Sequence, residues 1–294
     1  MPFQPFLVTV ARTQEISPHF RRITFTGASE IGPAVPVRDQ RIKLIIPGTA
    51  GLSQLVGEDW FSTWRSLDPA SRGFMRTYSI RDLRRQADEI DIDFVLHPGS
   101  PGPASSWAET AKIGDQLLII APDRDDDTGA GIEFAPGRAR QVFLFGDETA
   151  VPAIARIIAD WPAGLYGTAF AEVPDAADIQ EFDCPDTLTL NWLVRPAGIN
   201  HGELLNQAVA ELVHAPATPV LLTTDAAPVW ETPVYSSAGE EITEEAVAED
   251  TYYWIAGECS AVTTMRRLLV KEAGIPRGNV SFMGYWKRGR CLDD

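Results

Sequence analysis

Along the first 136 residues, apolar and polar positions alternate in short runs. Phe6 to Ala11, Phe20 to Thr26, Arg41 to Ile46, Thr77 to Ile80, Ile90 to Leu96 and Gln116 to Ala121 carry β-strand character and are separated by turn residues. Six such strands predict an antiparallel β-barrel. In Ile90-Asp91-Ile92-Asp93-Phe94 apolar residues alternate with acids, which predicts a half-buried strand with one wet face. A short helix is predicted from Pro103 to Thr110, after Gly102, and the less periodic stretch Gly48 to Arg72 reads as an excursion between strands.

After Pro136 the rhythm changes to strand and helix: Val142 to Phe145, Val151 to Ala159, Gly167 to Val173, Leu188 to Val194, Gly202 to Val213, Tyr252 to Ala256, Ser260 to Ala273 and Val280 to Met283. This is the pattern of a parallel sheet with crossover helices, an α/β domain. Pro136-Gly137 marks the boundary, giving domains 1–136 and 137–294. Within the second, residues 223–250 hold Pro228, Pro233 and six acids from Glu240 to Asp250, and read as a solvated insertion with a short strand near Val234. No internal repeat is visible.

Composition narrows the chemistry. The formal net charge of -16 over 294 residues makes nucleic acid and anionic membrane surfaces poor partners, so an anionic ligand needs a local basic pocket. Cys184, Cys259 and Cys291 are widely spaced thiols, and His19, His97, His201 and His214 lack metal-site spacing, so no disulfide framework and no protein-bound metal is expected. The start of the chain lacks a basic and apolar leader, and no apolar run approaches the ~20 residues of a membrane span, so a cytoplasmic location is expected.

The run Arg76-Thr77-Tyr78-Ser79 alternates, sending Arg76 and Tyr78 to one face and Thr77 and Ser79 to the other. Arg76 can neutralise a pyrophosphate, Tyr78 can offer an aromatic face to a flavin, and Ser79 can offer a hydroxyl or an amide. Downstream, His97 is followed by a Gly/Pro loop and then by Gly102-Pro103-Ala104-Ser105-Ser106-Trp107, small residues opening a helix. There, backbone N–H groups can approach a phosphate at the positive end of the helix. An ordinary barrel strand and a capped surface helix explain each segment separately; in this order they point to FAD. Gly146-Asp147-Glu148-Thr149 also joins a strand to a helix, but its acids would repel phosphate. Asp147 or Thr149 can cap the helix, while a remaining carboxylate can accept bonds from ribose or adenine, so it reads as a nucleotide-contacting turn and not as a phosphate cradle.

These segments, with Gly114-Asp115, Val151-Pro152-Ala153-Ile154, Ala256-Gly257-Glu258 and Gly284-Tyr285-Trp286-Lys287-Arg288-Gly289, resemble the siderophore-interacting protein family of FAD-dependent ferric-siderophore reductases, relatives of the ferredoxin reductases. The resemblance implies a six-stranded FAD barrel and a nicotinamide-type α/β domain. It also implies FAD contacts from Arg76, Thr77, Tyr78, Ser79, His97, Gly102, Ala104, Ser105, Asp147 and Thr149. NADH or NADPH would supply electrons, with Glu258 and Cys259 near the nicotinamide and a ferric siderophore as acceptor. The family's basic substrate contacts fall on Lys43, Arg124 and Lys287, although Lys287 replaces an arginine. For the donor, Glu172 closes a strand where an acid can bind a ribose diol, while Arg195 after the next strand could meet a 2′-phosphate; the balance leans to NADH. A flavin reductase coupled to ferredoxin or another protein, or a siderophore binder with a vestigial flavin site, would carry the same motifs.

Overall fold

A computed structural model describes residues 3–55, 57, 59–97, 99, 102–217, 219–220, 230–232, 235–236 and 250–288. The chain forms two compact units, Met1–Ile132 with Ala155–Asp160, and Glu133–Ile154 with Trp161–Asp294.

The first unit contains β1 (Phe3–Ser17), β2 (Phe20–Thr26), β3 (Arg41–Ile46), β4 (Phe74–Ser79), β5 (Asp82–Arg84), β6 (Glu89–Val95) and β7 (Gln116–Pro122). They make one antiparallel sheet in the order β4-β3-β7-β1-β2-β6-β5. The 15-residue β1 serves two neighbours, pairing from Phe3 to Thr9 with β7 and from Thr9 to Ser17 with β2. The sheet has seven strands where the sequence suggests six, because the triplet Asp82–Arg84, whose Leu83 packs against the core, adds a short edge. The two end strands β4 and β5 are successive in the chain. Ile80 N–H bonds to Gln40 O at 3.1 Å and Arg81 N–H to Asp91 O at 3.0 Å, so the two-residue link ties both edges of a curled sheet.

Inside the curl lie Val8, Val10, Ile23, Phe25, Ile42, Leu44, Ile90, Ile92, Phe94, Leu117 and Ile119, the alternate residues of each strand. The helix α3 (Pro103–Thr110) closes over this core with Ala104 and Ala108, and its Trp107 stacks on Phe25 at 6.2 Å and meets Phe94 at 5.9 Å. The expected wet face of β6 is not wet. Asp91 and Asp93 are buried because their cross-strand partners on β2 cover them: Arg22 forks onto Asp93 at 2.7 and 2.8 Å, and Thr24 donates to Asp91 at 2.7 Å. Arg84 adds two bonds of 2.8 Å to Asp91.

The Gly48 to Arg72 excursion folds into α1 (Trp60–Ser66) and α2 (Pro69–Arg72). Trp60 and Trp64 of α1 pack with Ile45, Met75, Leu118 and Ile120, on the face of β4-β3-β7 opposite the main core.

The second unit contains β8 (Gln141–Gly146), the first turn of α4 (Val151–Ala159), whose residues from Ala155 on group with the first unit, β9 (Tyr166–Val173), β10 (Leu188–Val194), α5 (Glu203–Leu212), β11 (Trp230–Thr232), β12 (Tyr235–Ser236), β13 (Thr251–Glu258), α6 (Cys259–Arg266) and β14 (Val280–Trp286). The sheet order is β10-β9-β8-β13-β14-β11-β12, parallel from β10 to β14 and antiparallel beyond. Helices α5 and α6 bury Leu205, Val209, Val262 and Met265 against Phe145, Ile255 and Phe282. Of the acidic stretch 223–250, only 230–232, 235–236 and Asp250 are described; Val234 and the acids from Glu240 to Glu249 lie outside the described residues. No helix among the described residues is long and apolar enough to cross a membrane.

Candidate functional site

In the first unit the fold brings the two candidate flavin segments together, with α3 packed beside β4. Helix α3 begins at Gly102 with no side-chain cap among the described residues. Among the described residues a Cβ at Gly102 would meet nothing within 4 Å beyond its chain neighbours. Ala104 and Ser105 follow as small buried residues, and Ser105 Oγ accepts the N–H of His97 at 3.2 Å, tying the end of the preceding strand to the helix start. An uncapped helix start leaves N–H groups pointing outward with partial positive charge.

On β4, Arg76 and Tyr78 do share a face. Arg76 Nη1 bonds to Met75 O at 2.6 Å and its guanidinium lies 5.9 Å from the Phe74 ring. Tyr78 rests on Phe94 with ring centroids 4.8 Å apart, and burial pushes its phenol well above the ordinary range, so it stays neutral. Thr77 faces the other way and accepts from Lys43 Nζ at 3.3 Å; Ser79 ends the strand opposite Arg41. Half-buried Arg76, an aromatic ring beside it and an uncapped helix start in the adjoining element suit the charge and shape of a flavin dinucleotide.

In the second unit the strand ends gather a polar network. Asp147 is buried and accepts from Thr149 N (2.9 Å), Thr149 Oγ1 (2.5 Å), Glu258 N (2.7 Å) and Trp286 Nε1 (2.8 Å). Burial and the neighbouring Glu148 charge raise its pKa to about 6, against the pull of Thr149, Trp286 and His201. Burial acts to raise Glu148 too, but His201 at 3.0 Å and a forked Arg195 at 3.0 and 3.1 Å hold it down at about 2. Arg195 also bonds to Glu172 at 2.6 Å. Glu172 is fully buried, accepts Gly202 N–H at 2.9 Å through the same oxygen, and leaves Oε2 without a partner among the described residues. Glu258 caps α6 by accepting from Ser260 N at 2.6 Å and Ala261 N at 3.1 Å.

Several assignments change with this geometry. Glu172 and Arg195 are not rivals for one nucleotide but partners in one ion-pair network, and neither is displayed to solvent as a ribose or phosphate contact. Asp147 and Thr149 satisfy each other and the 257–258 turn, and Cys259 is buried. Of the basic candidates, Arg124 is exposed and pairs with Glu30 at 3.1 Å, while Lys287 is 2% exposed. Glu148, His201 and Trp286 join the network with no role expected of them individually. For Glu148 the sequence does hold a signal: an acid directly after Asp147 in a strand-to-helix turn requires a nearby cation.

The folded halves define a two-domain flavoprotein architecture in which an FAD-binding domain precedes a second domain. The family model of the siderophore-interacting FAD-binding domain matches residues 9–126, and that of the siderophore-interacting protein matches residues 139–289. The chain belongs to the siderophore-interacting protein family. Ferric vibriobactin reductase ViuB of Vibrio cholerae is 31% identical over 288 residues, 97% of this chain and 90% of the relative. A siderophore utilization protein from T. fusca superposes with a TM-score of 0.73 at 30% identity, covering 100% of this chain and 97% of the other. The ferredoxin reductase in carbazole 1,9a-dioxygenase shares the fold with a TM-score of 0.61 at 13% identity, over 97% of this chain and 70% of its own.

Proposed function

We propose that this chain is an FAD-dependent oxidoreductase that reduces ferric siderophores and releases ferrous iron, taking its electrons from NAD(P)H. The observation that carries the reading is the placement of β4 and α3 side by side, in a chain whose family matches span both halves. Residues 1–136 form the FAD domain, a six-stranded barrel if β4 and β5 are taken as one bent strand, and 137–294 form the NAD(P)H-binding-like domain. When bound, FAD supplies a ring that accepts a hydride and gives electrons singly to ferric iron.

Arg76 would neutralise the pyrophosphate, and the N–H groups of Ala104 and Ser105 would meet its other oxygens beside Gly102. Tyr78 would flank the ring, while Thr77, Ser79 and His97 line the segment. Asp147, Thr149 and Glu258 act as positioning residues, holding the ends of β8, β13 and β14 in one hydrogen-bonded unit. Arg195 is neutralised by Glu148 and Glu172, which leaves it no free charge for a 2′-phosphate and favours NADH. Lys43 and Arg124 attract the anionic chelate; buried Lys287 contributes less directly. Ferric iron is substrate throughout, and its reduction weakens the hold of hard oxygen donors. The cytoplasm, where NAD(P)H is available, is the proposed compartment.

An anaerobic titration tests the reading. NADH should bleach the visible absorbance of the bound flavin, and a ferric siderophore added next should restore it, with ferrous iron appearing in a colour assay. A chain purified without flavin, or one whose reduced flavin returns its electrons to ferredoxin and not to ferric chelates, overturns it.

A further inference from the structure

From β8 the chain runs outward to β9 and β10 on one side and returns to β13 and β14 on the other, so the strand order reverses between β8 and β13. Open α/β sheets bind nucleotides at such a switch point, beyond the carboxyl ends of the strands. That place is flanked by Asp147 after β8 and Glu258 at the end of β13, joined by the 2.7 Å bond from Glu258 N–H to Asp147 Oδ2. Carboxylates there repel a pyrophosphate. Glu148 is answered by Arg195 and His201 and, held at about 2, stays ionised at ordinary pH. Asp147 is built differently. Its Oδ1 accepts from Thr149 N and Thr149 Oγ1, and its Oδ2 from Glu258 N and Trp286 Nε1, which fills the lone-pair directions of a carboxylate. The amides and the indole only donate, whereas the hydroxyl of Thr149 can also accept. A proton on Oδ1 therefore needs only that hydroxyl to turn, with the 2.5 Å contact kept and the other donors in place.

We propose that the Asp147–Thr149 pair takes up a proton from solvent when the pyrophosphate of the nucleotide donor binds beside it. This rests on the reading that the second domain receives NAD(P)H. A bound pyrophosphate disfavours a nearby carboxylate as any like charge does, so binding and protonation favour each other. The proton goes to Oδ1, the Thr149 hydroxyl hydrogen turns away, and the charge opposing the phosphate is removed with the strand ends unmoved. The surroundings already lean this way: burial and the Glu148 charge raise the Asp147 pKa to about 6, against Thr149, Trp286 and His201. Also at these strand ends are Glu258, which caps α6, Glu172, which pairs with Arg195, buried Lys287 and exposed Arg288. Because the ligand prefers the protonated acid, nucleotide affinity rises as pH falls through the Asp147 titration.

ADP-ribose carries the pyrophosphate and riboses of NADH without the ring that reduces flavin, so it binds without turnover. Calorimetry on the FAD-loaded protein should show its Kd rising roughly five- to twenty-fold between about pH 5.5 and about pH 7.5, as linkage to one group titrating near 6 requires. Midway between, enthalpies measured in buffers of different ionisation heat should report net proton uptake. Asp147→Asn, neutral at every pH, should bind at the upper pH as wild type does at the lower, with the slope lost. His201→Gln should keep both the slope and the proton uptake, which separates Asp147 from an imidazolium attracting the phosphate. If Asp147→Asn does not fold, proton uptake by wild type and by His201→Gln decides. A wild-type affinity level with pH, or a slope and proton uptake lost in His201→Gln, overturns the proposal and leaves nucleotide binding in place. No ADP-ribose binding at either pH overturns the reading that the second domain receives NAD(P)H, and the proposal with it.

Discussion

Gly257 has a backbone φ of +149°, and a Cβ built there would lie 2.6 Å from Asp147 Oδ2. The position needs glycine twice over, for its conformation and for the approach of the carboxylate that accepts the next residue's N–H. Gly257→Ala should lower unfolding free energy by about 1 to 3 kcal/mol in urea titrations and disturb the environment of Trp286. The two acids beside it respond to pH with opposite signs. Asp147, raised to about 6, contributes stability that is complete below its unfolded value and is lost as pH rises through 6. Glu148, held at about 2, contributes stability that is present above its unfolded value and lost as pH falls toward 2. Melting temperatures of Glu148→Gln should therefore fall below wild type at neutral pH and converge with it in acid. A constant difference from pH 3 to pH 8, to be read on the ~4.3 reference of a free glutamate, would contradict the assignment.

At the scale of elements, α3 makes the sharpest prediction. Gly102 has φ -74° and ψ 171°, a conformation open to any residue, and among the described residues nothing beyond its chain neighbours lies within 4 Å of a Cβ there. Gly102→Asp should supply the missing cap yet place a negative charge where the FAD phosphates are proposed to sit. The flavin-free protein should keep or slightly raise its melting temperature, because aspartate caps a helix at least as well as glycine. FAD affinity should drop on the order of ten-fold or more by fluorescence titration. A variant that gains stability and keeps full FAD affinity would place the phosphates elsewhere. Much of this scale was legible from pattern: α3 spans the residues its small-residue start predicts, and β2, β3, β8 and β10 follow their apolar runs. The acids of β6 were misread because the groups that cover them, Arg22 and Arg84, come from other strands. Register alone decides whether alternating acids face water or arginines. The pairing of Arg195 with Glu172 was out of reach for the same reason, since sequence gives their strand ends but not the 2.6 Å between them.

For the molecule as a whole, the charge of -16 sets long-range repulsion against local cations such as Lys43 and Arg124. If the proposed basic contacts hold the anionic ferric chelate, they act within a Debye length, about 10 Å at 0.1 M salt. The kcat/KM for the chelate should fall as salt is raised, while reduction of an uncharged acceptor stays level; a rise with salt would mean that global repulsion dominates. The pairing of β1 with β7 carries a consequence of another kind. Phe3 lies opposite Pro122, so β1, made before the other strands of its unit, waits for β7, the last of them, before that edge is covered. Until then β1 is an unpaired template for the wrong neighbour, in a topology rich in distant contacts that folds slowly. Growth of the nascent chain past the tunnel, beyond Pro122, is the event that ends this exposure. Codon choices that slow translation before that point should increase aggregation, and chaperones that bind extended segments should be most needed during that interval.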